Sequence, residues 1–196
     1  MESIMPTVKP GNNSGRPRDL RIRAKVLETA LALADQHGYR NVTLQAIAIE
    51  TKVGRPTIYR WWPDKTMLYL EVIASESMTR QPHIKRPDSL KQYLDTTYDM
   101  LKGSFGSLCV EVLIDVSNHP ALYKQPYRES IVERRQYVQQ LLYAFAEQHK
   151  KNFCVSIDVV TDMVVGIMWY RLIHKNLPLT TDVANEIHDA VGRMLE

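Results

Sequence analysis

The residues best suited to do chemistry lie close together. Arg55, Pro56, Thr57, Tyr59 and Arg60 fall within six positions, and Lys65 follows just beyond a Trp61-Trp62 pair. A guanidinium can pair bidentately with guanine. A threonine or proline edge can meet the thymine methyl, and a phenol can donate to phosphate. Other chemistries lack their residues. There is no G-x-S-x-G, no P-loop and no dinucleotide fingerprint. The six histidines are dispersed with no H-x-x-x-H pair, and Cys109 and Cys154 form no C-x-x-C. No metal site, cofactor or enzymatic activity is therefore expected. Glu111, Asp115 and His119 stand at i, i+4 and i+8 and read as a solvated helix stripe.

The cationic residues can act together only if the backbone puts them on one face. A first helical pattern starts at Asp19, carries Val26, Ala30, Leu33 and Ala34 at helical spacing, and ends at Gly38. Thr43 is a good N-cap for a second, short helix with Leu44, Ile47 and Ala48 on its apolar face. A tight Lys52-Val53-Gly54 turn leads to a third helix at Arg55, where Pro56 fits the first turn. At about 100° per residue, Trp62 falls on the side of Ile58 and Trp61 on its flank. Pro56, Thr57, Tyr59 and Arg60 fall on the other side. Two short helices joined by a tight turn, with a polar face on the second, describe a helix-turn-helix. Pro63 stops the third helix, and Asp64 caps a fourth that runs through Met67, Leu68, Val72 and Ile73.

The rest is helical too, so the fold class is all-α. Gly is scarce, at 8 of 196 residues, and no strand pattern competes. Residues 1–17, rich in Pro, Gly and Asn, read as a disordered arm. Residues 18–80 read as the helix-turn-helix domain, 81–87 as a hinge and 88–196 as a second helical domain. In that second domain a separate turn over Ala121–Gln125 precedes a long helix, and Thr181 or Asp182 caps the last one. Val155–His174 is apolar around most of its circumference, which predicts burial on more than one side. Charge divides the same way. Residues 1–86 hold 14 Lys/Arg against 8 Asp/Glu, and residues 87–196 hold 11 against 14. A basic front suits a polyanion. No apolar run has the length of a secretion signal or a membrane span, so a cytoplasmic protein with no membrane partner is expected.

The segment TLQAIAIETKVGRPTIYRWWPDKTML resembles the DNA-binding motif of the tetracycline-repressor (TetR) family of bacterial regulators. The resemblance is carried by Thr43, Ile47-Ala48, Val53-Gly54, Thr57-Ile58-Tyr59, Trp62, Lys65 and Leu68, and by the preceding Gly38-Tyr39 helix exit. It covers roughly Ile22–Met78. Lys52 stands where the family often has Gly, and Gly54 replaces the usual Ser.

The resemblance implies a DNA-binding transcriptional regulator, most readily a repressor released from a palindromic operator by a small-molecule effector. Tyr59 and Lys65 would contact phosphate, and Thr43 would present a helix N-terminus to the backbone. Arg55, Pro56, Thr57 and Arg60 would face bases or their flanking phosphates. Arg16, Arg18, Arg21 and Arg23 would add contacts from the arm. It also implies a homodimer through the last two helices, with Val159, Gly166, Ile187 and Val191 at the interface. An effector cavity would be walled by Tyr98, Met100, Phe105, Cys109, Met163, Met168, Trp169 and Tyr170. The rival readings are an all-helical enzyme and a protein-binding adaptor using that cavity.

Overall fold

The computed structural model describes residues 16–79, 89–174 and 177–196, with the side chains of 16–19, 77–79 and 120–130 left aside. Of the arm expected over residues 1–17, residues 1–15 lie outside the described residues, as do the hinge at 81–87 and the side chains of Arg16 and Arg18, while the backbone of Arg16 and Pro17 already belongs to the first helix, which corrects the arm's end. The described residues form helices α1 (Arg16–His37), α2 (Leu44–Thr51), α3 (Arg55–Trp61), α4 (Lys65–Thr79), α5 (Leu90–Met100), α6 (Ser104–Asn118), α7 (Pro120–His149), α8 (Ile157–Ile173) and α9 (Thr181–Arg193). A 3₁₀ turn, Tyr39–Asn41, joins α1 to α2. Extended pairing is limited to one isolated bridge between Phe153 and Leu195 among the described residues.

Local chemistry sets the helix ends. Thr43 Oγ1 accepts from the Ala46 N–H at 3.1 Å, and Asp64 Oδ1 accepts from Met67 N–H at 2.9 Å. Ser89, Ser156 and Thr180 cap α5, α8 and α9 in the same way. The cap of α9 is thus Thr180, one residue before the pair expected from sequence. Ala121–Gln125 is no separate turn either. It lies inside α7, because Pro120 occupies the first turn, where a missing N–H costs nothing.

The front four helices close on one core. Val26, Ala30 and Ala34 of α1 pack with Ile47 and Ala48 of α2, Ile58 of α3, and Leu68, Tyr69 and Val72 of α4, all buried. The Tyr69 hydroxyl donates to the Ala30 carbonyl at 2.8 Å, pinning α4 across α1. Helix α4 then packs on α6 and α7, so the front unit sits directly on the second.

In the second unit α5 pairs with α9, α7 with α8, and α6 touches both α7 and α8. Gly106 lets α6 in. A Cβ there would come 2.0 Å from the Leu101 carbonyl oxygen and 2.8 Å from Leu172 Cδ1. Helix α8 departs from expectation. Val160, Thr161, Val164 and Met168 are buried, but Val159, Met163, Ile167, Tyr170 and Ile173 form an exposed apolar stripe. A single chain covers only one of its sides.

Candidate nucleic-acid interface

The turn between α2 and α3 places the cationic face. Lys52 ends α2 in the left-handed conformation, φ 59°, and its N–H still reaches the Ile49 carbonyl. Gly54 then opens α3 with Pro56 in its first turn. Thr51, buried, donates to the Ile47 carbonyl at 2.7 Å, while Lys25 of α1 donates to the Thr51 carbonyl at 3.2 Å. The turn is therefore tied to α1 as well as to α2.

Helix α3 is held from one side by Ile58 and by Trp62 at its C-cap, both buried. Trp61 lies edge-on to Trp62 with ring centroids 5.6 Å apart. The opposite side presents Arg55, Pro56, Tyr59 and Arg60 to solvent, with Thr57 half-buried at its edge. Thr43, at the start of α2, is exposed too. Arg60 lies 6.0 Å from the Trp61 ring centroid. An open hollow lined by Ala48, Ile49, Lys52, Val53, Gly54 and Arg55 adjoins this face. Ile49, 66% exposed at its rim, was not singled out by the sequence because its helical face is otherwise polar.

Two basic residues are engaged rather than free. Arg23 donates Nε to Glu71 Oε1 at 2.5 Å and a second N–H to Glu71 Oε2, and it stacks 5.1 Å from the Trp62 ring centroid. Trp62 Nε1 donates to the same carboxylate at 2.8 Å. The bidentate hydrogen bond to Glu71 raises the Arg23 pKa. Arg23 thus clamps α1 to α3 and α4, which corrects its assignment to the arm. Arg21 remains exposed. Lys65, at the start of α4, donates to the carbonyls of Tyr39 at 2.9 Å and Arg40 at 3.4 Å. Burial lowers its pKa. An ammonium has three donors, so one remains for another acceptor.

The residues expected to wall a cavity are not brought together as one set. Tyr98, Phe105, Cys109 and Met168 are buried, and Met100 and Trp169 are partly buried against the same core. Met163, 41% exposed, and Tyr170, 58% exposed, belong to the outer stripe of α8. Burial pushes the Tyr98 hydroxyl and the Cys109 thiol each up to about 12. The Tyr98 hydroxyl has no hydrogen-bond partner among the described residues. Of the expected interface residues, Val159 and Gly166 face outward, and a Cβ on Gly166 would meet nothing within 4 Å. Ile187 and Val191 instead fill the core of the chain itself on α9, the helix that pairs with α5. Glu111 and Asp115 are not a solvated stripe. They face the 3₁₀ turn of the front unit, while His119 stays exposed. No group of three His, Cys, Asp or Glu side chains among the described residues could hold a metal ion, and no helix there is long and apolar enough to cross a membrane.

Residues 26–72, which run from α1 through α4, match the sequence profile of bacterial regulatory proteins of the tetR family. That segment is a DNA-binding domain of the TetR type. The helix-turn-helix of α2 and α3 lies inside the matched segment, and the chain that carries it is a DNA-binding transcriptional regulator. It is 26% identical over 171 residues to the HTH-type transcriptional regulator Rv1556 of Mycobacterium tuberculosis, covering 85% of this chain and 84% of the relative. Over 54 residues, 28% of this chain and 26% of the relative, it is 37% identical to the HTH-type transcriptional repressor KstR of Rhodococcus jostii. Among solved structures it is similar in fold to the TetR family transcription regulator SCO0332. That likeness has a TM-score of 0.67 and 22% identity, and covers 88% of this chain and 97% of the other.

Proposed function

We propose that this chain is a regulator of the TetR family, a cytoplasmic, dimeric repressor that grips a palindromic operator and lets go when a small molecule occupies its second unit. The observation that carries the reading is the outward face of α3, where Arg55, Pro56, Tyr59 and Arg60 are exposed on a helix anchored by Ile58 and Trp62. Arg55 and Arg60 would read bases or flanking phosphates, with Pro56 and Thr57 against base edges. Tyr59, the free donor of Lys65 and the N-terminus of α2 at Thr43 would hold the backbone. The similarity to a named repressor, KstR, supports repression over activation.

The exposed stripe of Val159, Met163, Ile167, Tyr170 and Ile173, with Gly166 on the same outer surface, supports a two-fold contact centred on α8. The effector would lie among α5, α6 and α8, near Phe105, Cys109, Met168 and the unpartnered Tyr98 hydroxyl. A buried hydroxyl without a partner costs roughly 1–3 kcal/mol, which an acceptor on a bound molecule would recover. Action is by differential binding, not bond chemistry. The test is enrichment of bound duplexes from random DNA. Half-sites in inverted repeat, with centres about 34 Å apart or slightly more, are expected. A pool without dyad symmetry would remove the dimeric reader.

A further inference from the structure

Two carboxylates of α6 reach into the front unit. Asp115 Oδ2 accepts from the Tyr39 hydroxyl at 2.6 Å, and Oδ1 accepts from Arg40 Nη1 at 2.9 Å. Glu111 Oε2 lies 3.5 Å from Arg40 Nε. Tyr39 gives its single proton to Asp115, so Thr66 Oγ1, 3.1 Å away, donates to the phenol oxygen. Tyr39 and Thr66 are buried. The backbone of this same turn holds Lys65, whose ammonium is bonded to the Tyr39 and Arg40 carbonyls and lies 4.2 Å from the Tyr39 ring centroid. The carboxylate of Asp115 thus orders two side chains, and their backbone orders a third residue that stands among the proposed DNA contacts.

We propose that Asp115 is a positioning residue for DNA binding: it fixes the Tyr39–Arg40 turn, whose carbonyls aim the Lys65 ammonium at the phosphate backbone. This rests on the reading of Lys65 as a phosphate contact. It makes α6 the element through which the second unit bears on the DNA contact. The proposal has a sign that simple charge does not share. A carboxylate near a phosphate contact repels DNA, so charge alone predicts tighter binding when Asp115 is neutralised. Positioning predicts weaker binding.

The experiment is fluorescence anisotropy of the full chain on a labelled duplex from the bound pool, across a salt series. Asp115→Asn should weaken binding roughly ten-fold without changing the preferred sequence, and Tyr39→Phe, which alters no charge, should act in the same direction. In a Lys65→Ala background Asp115→Asn should add less than about two-fold, since residues acting through one contact are not additive. Tighter or unchanged binding by both Asp115→Asn and Tyr39→Phe overturns the proposal. So does a full additional loss in the Lys65→Ala background, which is what general damage to the fold would give. Where Asp115→Asn does not fold, Tyr39→Phe with and without Lys65→Ala decides in the same way. If Lys65→Ala alone leaves affinity and salt slope unchanged, the reading of Lys65 itself fails, and the proposal with it.

Discussion

Lys52 holds a left-handed backbone, φ 59°, at the one turn on which the helix-turn-helix depends. A side chain with a Cβ pays roughly 1–2 kcal/mol for that conformation. Lys52→Gly should therefore raise the stability of the folded chain by about 1 kcal/mol, read as a higher urea midpoint at unchanged slope. DNA affinity should fall slightly, because an exposed cation beside Arg55 is lost. The thiols separate just as clearly. Cys109 is buried with its pKa pushed up to about 12, and Cys154 is exposed. The reactive species is the thiolate, so alkylation at pH 8 should modify Cys154 alone. Modification of Cys109 at the same rate would show that the interior of the second unit opens readily. The turn was legible in the sequence because its signals are local: Thr43, Gly54 and Pro56 each act within a few positions. The ties of Tyr39 and Arg40 to Asp115 were not, since 76 and 75 positions separate the partners and each residue alone reads as ordinary.

At the scale of the helices, two glycines have opposite meanings. Gly106 marks a close approach, where a methyl group would meet the Leu101 carbonyl at 2.0 Å and Leu172 at 2.8 Å. The backbone oxygen cannot swing aside, so Gly106→Ala should cost roughly 1–3 kcal/mol or more. Gly166 faces open space in one subunit, so Gly166→Ala should leave the thermal midpoint of a dilute, monomeric sample unchanged or slightly higher, alanine being the better helix former. Calorimetry on the two variants checks both, and equal destabilisation would contradict the packing described. Sequence pointed to Gly166 and passed over Gly106. Both lie in apolar helices, and periodicity alone does not say which helix face meets a neighbour. The same limit hid the division of α8 into an inner and an outer stripe. Met163, Met168 and Tyr170 look alike as apolar residues, yet only Met168 is buried in the subunit.

For the whole molecule, the proposed two-fold contact would cover the outer stripe of α8 and let two reading heads act together. Ile167 is 37% exposed in a single chain and lies mid-stripe. Ile167→Glu would set two like charges against each other at the proposed two-fold contact. Sedimentation should then show monomer. Affinity for the paired half-sites should fall steeply, while affinity for an isolated half-site stays the same. An unchanged dimer would move the contact elsewhere. Basic charge in the front half and the all-helical class were plain from composition. The joining surface between the two units was not, because it is made by α4, α6 and α7, elements distant in sequence.

Helix α3 is the proposed reader of DNA sequence, and a paired enrichment experiment tests that role most directly. Wild-type chain and Arg55→Ala would each select from the same random duplex pool. Arg55 is exposed at the first position of α3, where its guanidinium is free to reach a base edge. The predicted result is an inverted repeat for the wild type. The variant should lose preference at one or two symmetric positions, and its affinity for the original site should drop by roughly 1–3 kcal/mol. Identical preferences from the two proteins would contradict the assignment of base reading to this face of α3.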